Sequence, residues 1–143
     1  MRELTIEEAN ELVPTLHRLI STLMLQKEEI ASLVGLLHAR VGVLPRDLAP
    51  RSADDGDVAD LKAEIAAALA RFEGGWAEVQ ALGCVVKDPK TGLVDFYGRV
   101  DGEQVFLCWR FGEESVAHYH GLDEGFSGRK PLPQPGRQHR ILN

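Results

Sequence analysis

The stretch that decides the fold is LVDFYGRV-DG-EQVFLCWR, residues 93–110. Two runs of alternating apolar and polar residues flank an Asp-Gly pair, the dipeptide that strongly favours a two-residue hairpin turn. If Val100 pairs with Glu103, the register puts one apolar set on one face and places Asp95 directly across from Cys108 on the other. The sequence therefore predicts a β-hairpin with one core face and one polar face.

Short strands are expected on both sides of this hairpin, over 84–87 and 116–120. If the last of them continues the same register, His118 lies beside Cys108. We therefore predict an antiparallel sheet of three or four strands within residues 84–121.

A row of metal-ligand side chains crosses the polar face of the predicted sheet. Asp95, Cys108 and His118 align across three strands, with His120 one pleat along and Glu124 just beyond the last strand. Carboxylate, thiolate and imidazole groups are good ligands for zinc or ferrous iron. The pattern predicts a divalent metal site, zinc or iron, formed by these five residues. The alternative is a polar sheet face with a small buried cysteine and two surface histidines.

Three more residues are candidates for contacting a small ligand: Glu113, Arg110 and Arg129. Arg129 belongs to a glycine-rich, basic segment at 125–131, which can hold an anion through backbone amides and a guanidinium. The alternative for this segment is a turn that lays the tail along the domain. A cysteine nucleophile ranks below metal binding because nothing marks an oxyanion hole. No catalytic residue is assigned, and whether the chain is an enzyme stays open.

The N-terminal half carries two helical patterns. Apolar side chains recur every three or four positions through residues 4–41, where Pro14 predicts a kink or restart. The same spacing returns over 58–82, with Gly75 in one apolar place as either a soft spot or a close backbone contact. These patterns predict two long helices.

The fold class expected is α+β, with a long antiparallel helical hairpin packed on a small antiparallel sheet. We expect one domain over 1–143: a hairpin at 4–82 with a mobile connector at 42–56, then the sheet, then an irregular basic tail at 125–143. Heptad-like spacing also favours coiled-coil pairing and a homo-oligomer through the helices. Three leucines widen the apolar side of the first long helix: Leu12, Leu19 and Leu33. If the helices carry the assembly, charged substitutions at these positions should disrupt it.

Composition limits the function classes. The chain has 143 residues, 16 basic against 22 acidic, and a formal net charge of −6, which argues against a nucleic-acid partner. No apolar run approaches the roughly 18 residues of a membrane span. Two cysteines and no recognisable signal peptide favour a cytoplasmic location. The leading hypothesis is a cytosolic metal- or small-ligand-binding domain. The alternative is a helical-hairpin interaction or homodimerisation module with no metal and no catalysis.

Four motifs resemble one family: LTIEEANELVP at 4–14, GLVDF at 92–96, CWRFGE at 108–113, and the run from His118 through GFSGRKP at 125–131. On these motifs the chain is identified as a member of the uncharacterised bacterial family catalogued as domain of unknown function 2203. The family has no established activity, so the resemblance implies no catalytic assignment. Its members often show Trp-His where this chain has Tyr119-His120. The candidate residues inside matching motifs are Asp95, Cys108, Glu113, His120 and Arg129.

Overall fold

The computed structural model describes residues 2–133 and divides them into two compact units. The sheet unit comprises residues 2–17 and 79–133, and the hairpin unit comprises residues 18–78. The predicted α+β class is confirmed. Residues 134–143 of the predicted basic tail lie outside the described part of the chain.

Within residues 2–133 the sheet has five antiparallel strands, so the prediction of three or four was wrong. They neighbour one another in chain order and are β1 (Val85–Asp88), β2 (Leu93–Val100), β3 (Glu103–Arg110), β4 (His118–His120) and β5 (Lys130–Pro131). β5 lies in the segment expected to be irregular and follows a 3₁₀ turn at Phe126–Gly128. Because β5 has only two residues, one of them proline, it carries no alternation of apolar and polar residues by which a strand could be recognised in the sequence.

The central hairpin has the predicted register. Val100 pairs with Glu103, and Asp95 pairs with Cys108. Asp101 and Gly102 both have positive φ, 52° and 81°, as a type I′ turn requires. The predicted apolar face is buried throughout, with no side chain more than 8% exposed: Val94, Phe96, Val100, Val105, Leu107 and Trp109.

A short first helix, α1 (Ile6–Glu11), begins at a complete capping box in which Thr5 accepts from the Glu8 amide and the Glu8 side chain accepts from the Thr5 amide. The second helix, α2 (Val13–Val41), starts after a one-residue break and carries Pro14 in its first turn. Proline is tolerated there because first-turn amides have no partner within the helix.

Hydrogen bonds from the backbone and from one side chain join the N-terminal segment to β2 and to the residues before β4. The Leu4 amide donates to the Tyr97 carbonyl at 2.8 Å. The Asn10 side chain accepts from the Val116 amide at 2.7 Å and donates to the Val116 carbonyl at 3.4 Å. This anchors the residues just before β4.

The hairpin unit contains most of α2 and of the third helix, α3 (Gly56–Ala81). One buried cluster of this unit is formed by Leu37, Val58 and Ile65. The connector expected to be mobile makes specific contacts with α3: the buried Lys62 ammonium donates to the Asp54 carboxylate at 2.8 Å and to the Ala49 carbonyl at 3.1 Å. No helix within residues 2–133 combines the length and apolar character that crossing a membrane demands.

Candidate metal centre

Three of the predicted ligands come together on the second face of the sheet: Asp95, Cys108 and His120. One ligand atom from each lies within 4.8 Å of the others, and the side chains are 0%, 0% and 1% exposed. The sheet register explains the grouping, because Asp95 faces Cys108 across β2 and β3 while β4 places His120 opposite Phe106, one pleat along. Among the residues that the structure describes, this is the group of side chains suited to holding a metal ion.

His120 is held by both ring nitrogens. Nδ1 lies 2.8 Å from the Gly121 carbonyl oxygen, and Nε2 lies 2.9 Å from Oδ2 of Asp95. Since a carbonyl oxygen only accepts, Nδ1 carries a proton and donates it. One further proton lies between Nε2 and Oδ2. In metal-bound histidines one ring nitrogen commonly donates to a backbone carbonyl, as Nδ1 does here, and the other nitrogen, here Nε2, holds the ion.

Asp95 is a buried carboxyl group with one oxygen unused. Burial raises the pKa of Asp95, while the positive charge of His120 and a contact with the Cys108 thiol act in the opposite direction. Oδ2 bonds to His120, but buried Oδ1 has no hydrogen-bond partner among residues 2–133. A buried oxygen without a partner costs about 1–3 kcal/mol, so it points to a group that binds there.

Cys108 is a protonated thiol in this environment. Burial raises its pKa to about 12, with a further contribution from the negative charge of Asp95, while Arg129 lowers it. Both nitrogens of His120 are engaged elsewhere, so neither is free to take the thiol proton. This geometry does not activate Cys108 as a nucleophile.

Glu124, predicted as a ligand, lies outside this group and is exposed. Its Oε1 accepts from the Gly121 amide at 2.7 Å, and its own amide donates to the Gly121 carbonyl at 3.1 Å. That carbonyl is the one bonded to His120. Glu124 therefore positions the histidine through the turn that follows β4.

His118, the other predicted ligand, is engaged by Arg129. The guanidinium Nη2 donates to Nδ1 of His118 at 2.7 Å and to Oε2 of Glu113 at 2.7 Å. The Arg129 side chain is only 9% exposed, and its Nε has no hydrogen-bond partner among the described residues. The predicted ligand-contacting pair Glu113 and Arg129 is therefore brought together beside His118.

The third predicted ligand contact, Arg110, lies at the exposed edge of the same face. Its guanidinium is 4.9 Å from the centre of the Phe126 ring, which Arg129 also approaches at 4.5 Å. Glu113 Oε1 accepts from the Arg110 amide at 2.7 Å, which fixes Glu113 next to Arg129. The segment 121–129 thus lies over part of the Asp95 face.

Two features of the centre were missed by sequence reasoning. The Gly121 carbonyl that orients His120 has no sequence signal, because every residue carries a carbonyl. Phe106, the β3 partner of His120, has its ring centre 5.5 Å from that of His120 and is not among the predicted site residues.

A single family model covers nearly all of the described residues, including those of this centre. Residues 2–132 match the family described as Uncharacterized conserved protein (DUF2203). The chain belongs to this family. No curated protein and no solved structure matches the chain. The family description names no activity, so the function of this DUF2203 member has to be argued from its own residues.

Proposed function

We propose that this protein is a cytosolic metal-binding domain that holds one divalent transition-metal ion, zinc or ferrous iron, through Asp95, Cys108 and His120. The observation that carries the proposal is the buried Oδ1 of Asp95, which has no hydrogen-bond partner among residues 2–133 and belongs to a group that also contains a thiol and an oriented imidazole. An ion at this position would give the oxygen its partner.

The donor set suits these two metals. Zinc binds thiolate, imidazole and carboxylate at about 2.0–2.3 Å, and catalytic zinc sites combine three protein ligands with one open position. Ligand atoms around such an ion are separated by about 3.3 Å or more, whereas Nε2 of His120 and Oδ2 of Asp95 are 2.9 Å apart. The ion would therefore displace the proton that now joins them.

Binding is coupled to pH. The ion replaces the thiol proton of Cys108 and the proton shared by Asp95 and His120, so about two protons leave for each ion bound. The apparent affinity should therefore rise by at least about tenfold for each pH unit near neutrality, where the Cys108 thiol keeps its proton. Because all three ligands are buried, the ion is acquired during folding or through local opening.

The test is elemental mass spectrometry on untagged protein purified without chelator, aerobically and anaerobically, and on protein refolded with zinc or ferrous iron. We expect about one ion per chain, with affinity reduced more than about 100-fold in Cys108→Ala, since even outer-shell changes cost about 10–100-fold. Cys84→Ala is the matched control because Cys84 is an equally buried thiol outside the group. Metal-free protein under all these conditions, or equal loss in both variants, would refute the proposal.

A second function is favoured by an independent observation in the hairpin unit. Leu25 and Leu36 are 68% and 57% exposed, and their spacing of eleven residues puts them on one face of α2. The occupant we assign to this face is a second copy of the chain, since the same two exposed leucines on each copy can meet about a twofold axis.

Self-association is tested at these two exposed positions. Leu33, one of the positions suggested by the sequence, packs on the core of the hairpin unit, so a charge there would also destabilise the fold. Light scattering after size exclusion should show a dimer that Leu25→Glu and Leu36→Glu convert to monomer with unchanged circular dichroism. A wild-type monomer at high concentration would exclude this function and leave the metal proposal standing.

A further inference from the structure

The sheet unit has two buried polar side-chain atoms without partners among its described residues, and they complement each other. Oδ1 of Asp95 is an acceptor, and Nε of Arg129 is a donor. Each costs free energy unless something binds it. A metal ion accounts for the oxygen but not for the nitrogen, because a guanidinium N–H needs an acceptor.

Arg129 lies over the row of residues that forms the metal centre. Its Nη2 bonds to His118, and His118 is the strand partner of Cys108. Partner side chains on one face stand about 5 Å apart, so the guanidinium lies one residue from a metal ligand. The positive charge of Arg129 acts to lower the pKa of the Cys108 thiol, which agrees with a short distance between the two groups.

We infer that the loaded centre takes a small carboxylate, of the size of formate or acetate, held between the metal ion and the Nε–H of Arg129. The inference rests on the proposed metal function. Three protein ligands leave one position of a tetrahedral ion for this oxyanion. The second carboxylate oxygen would accept from the guanidinium in a charge-assisted hydrogen bond.

The geometry leaves a charged hydrogen-bond donor beside the centre for one small anion. The Asp95 carboxylate and the Cys108 thiolate balance the two charges of the ion, so the centre itself is neutral. The pairing of Arg129 with Glu113 uses Nη2 and leaves Nε available. A lysine would place one point charge there, whereas arginine can hold its anchors with one nitrogen and the ligand with another.

The experiment uses the full chain refolded with cobalt(II), whose visible bands report on the ligands of the ion. Formate should shift these bands in a saturable titration, and formamide, its neutral analogue, should not. In Arg129→Gln the formate dissociation constant should rise at least about tenfold, while the bands without formate stay the same. The matched control is Arg99→Gln, an exposed arginine of β2 on the same face as Asp95 and outside the candidate ligand contacts, which should stay within about twofold of wild type.

The outcomes separate the two proposals. Absence of cobalt bands in the wild type would overturn the metal function and this inference with it. Cobalt bands that ignore formate would overturn the inference alone, and a response to inorganic phosphate but not to formate would overturn the carboxylate assignment. If Arg129→Gln does not fold, Arg129→Lys keeps the positive charge and lacks the Nε donor. Wild-type formate affinity in that variant would overturn the assignment of the Nε–H as the donor to formate.

Discussion

Cys84 and Cys108 show how strongly burial acts on a single side chain. Both thiols are free and about 1% exposed or less, and burial is the main reason that the pKa of each rises to about 12. Cys84 also donates its S–H to the Val79 carbonyl at 3.2 Å. The folded protein therefore holds both groups in the neutral form over the whole physiological range.

Alkaline pH should destabilise the metal-free protein through these thiols. The unfolded thiol loses its proton near its ordinary pKa of 9.0, whereas folded Cys84 retains it up to about 12. The stabilising contribution is therefore complete below pH 9 and is lost between about pH 9 and pH 12. From pH 8 to pH 11, the wild type should lose about 2–3 kcal/mol more free energy of unfolding than Cys84→Ala. Urea denaturation followed by circular dichroism measures this difference, and identical pH profiles for the two proteins would contradict it.

The contacts of individual candidates were unequally predictable. The pairing of Asp95 with Cys108 follows from a two-residue turn and strict alternation, so it was available from sequence. The partner of His118 was not, because Arg129 lies eleven residues away in a segment with no periodicity. The row in which His118 lies could be predicted from the sequence, but the guanidinium bonded to its Nδ1 could not.

Among the elements, the helices and strands with a periodic pattern of apolar residues were predictable, and β5, which has no such pattern, was not. The β2–β3 hairpin and the helix break before Pro14 follow from local rules of turn and backbone chemistry. β5 does not, because its existence depends on where the chain returns after the 3₁₀ turn. The sequence also left open whether Gly75 is a soft spot or a close contact, and the structure answers this. A Cβ at Gly75 would lie 2.5 Å from Cδ2 of Leu23, a side chain that is only 1% exposed.

The neighbouring glycines of α3 should therefore respond oppositely to alanine. Nothing lies within 4 Å of a Cβ at Gly74, so Gly74→Ala should raise the free energy of unfolding by about 0.5–1 kcal/mol through helix propensity. Gly75→Ala gains the same propensity but forces buried Leu23 to move, and a net loss of about 1–2 kcal/mol is expected. Thermal or urea unfolding of the two variants gives the comparison. Equal stabilisation by both would show that the helices separate easily at this point.

At the scale of the whole molecule, the largest departure from the sequence expectation concerns the second sheet face. Alternation predicts a polar, solvated face, as antiparallel sheets often have. Instead Asp95, Phe106, Cys108 and His120 are all at most 4% exposed. Part of the cover comes from residues 121–129, where Phe126 lies against Arg110. A cover built from an irregular segment leaves no periodic signal, so the residues of the centre were predicted more readily than their burial.

Because the three proposed ligands are buried in the sheet unit, a bound metal should stabilise mainly that unit, and hydrogen exchange can test this. A ligand that binds only the closed, folded site stabilises it by about 4 kcal/mol at a thousand times its dissociation constant. Amides of β2, β3 and β4 should then exchange up to about 1000-fold more slowly with zinc present, whereas amides of residues 18–78 that exchange through their own local openings should change little. Cys108→Ala should abolish the slowing, and Cys84→Ala should preserve it. Equal slowing in both units would mean that they open only together, in which case the division into two compact units has no counterpart in stability.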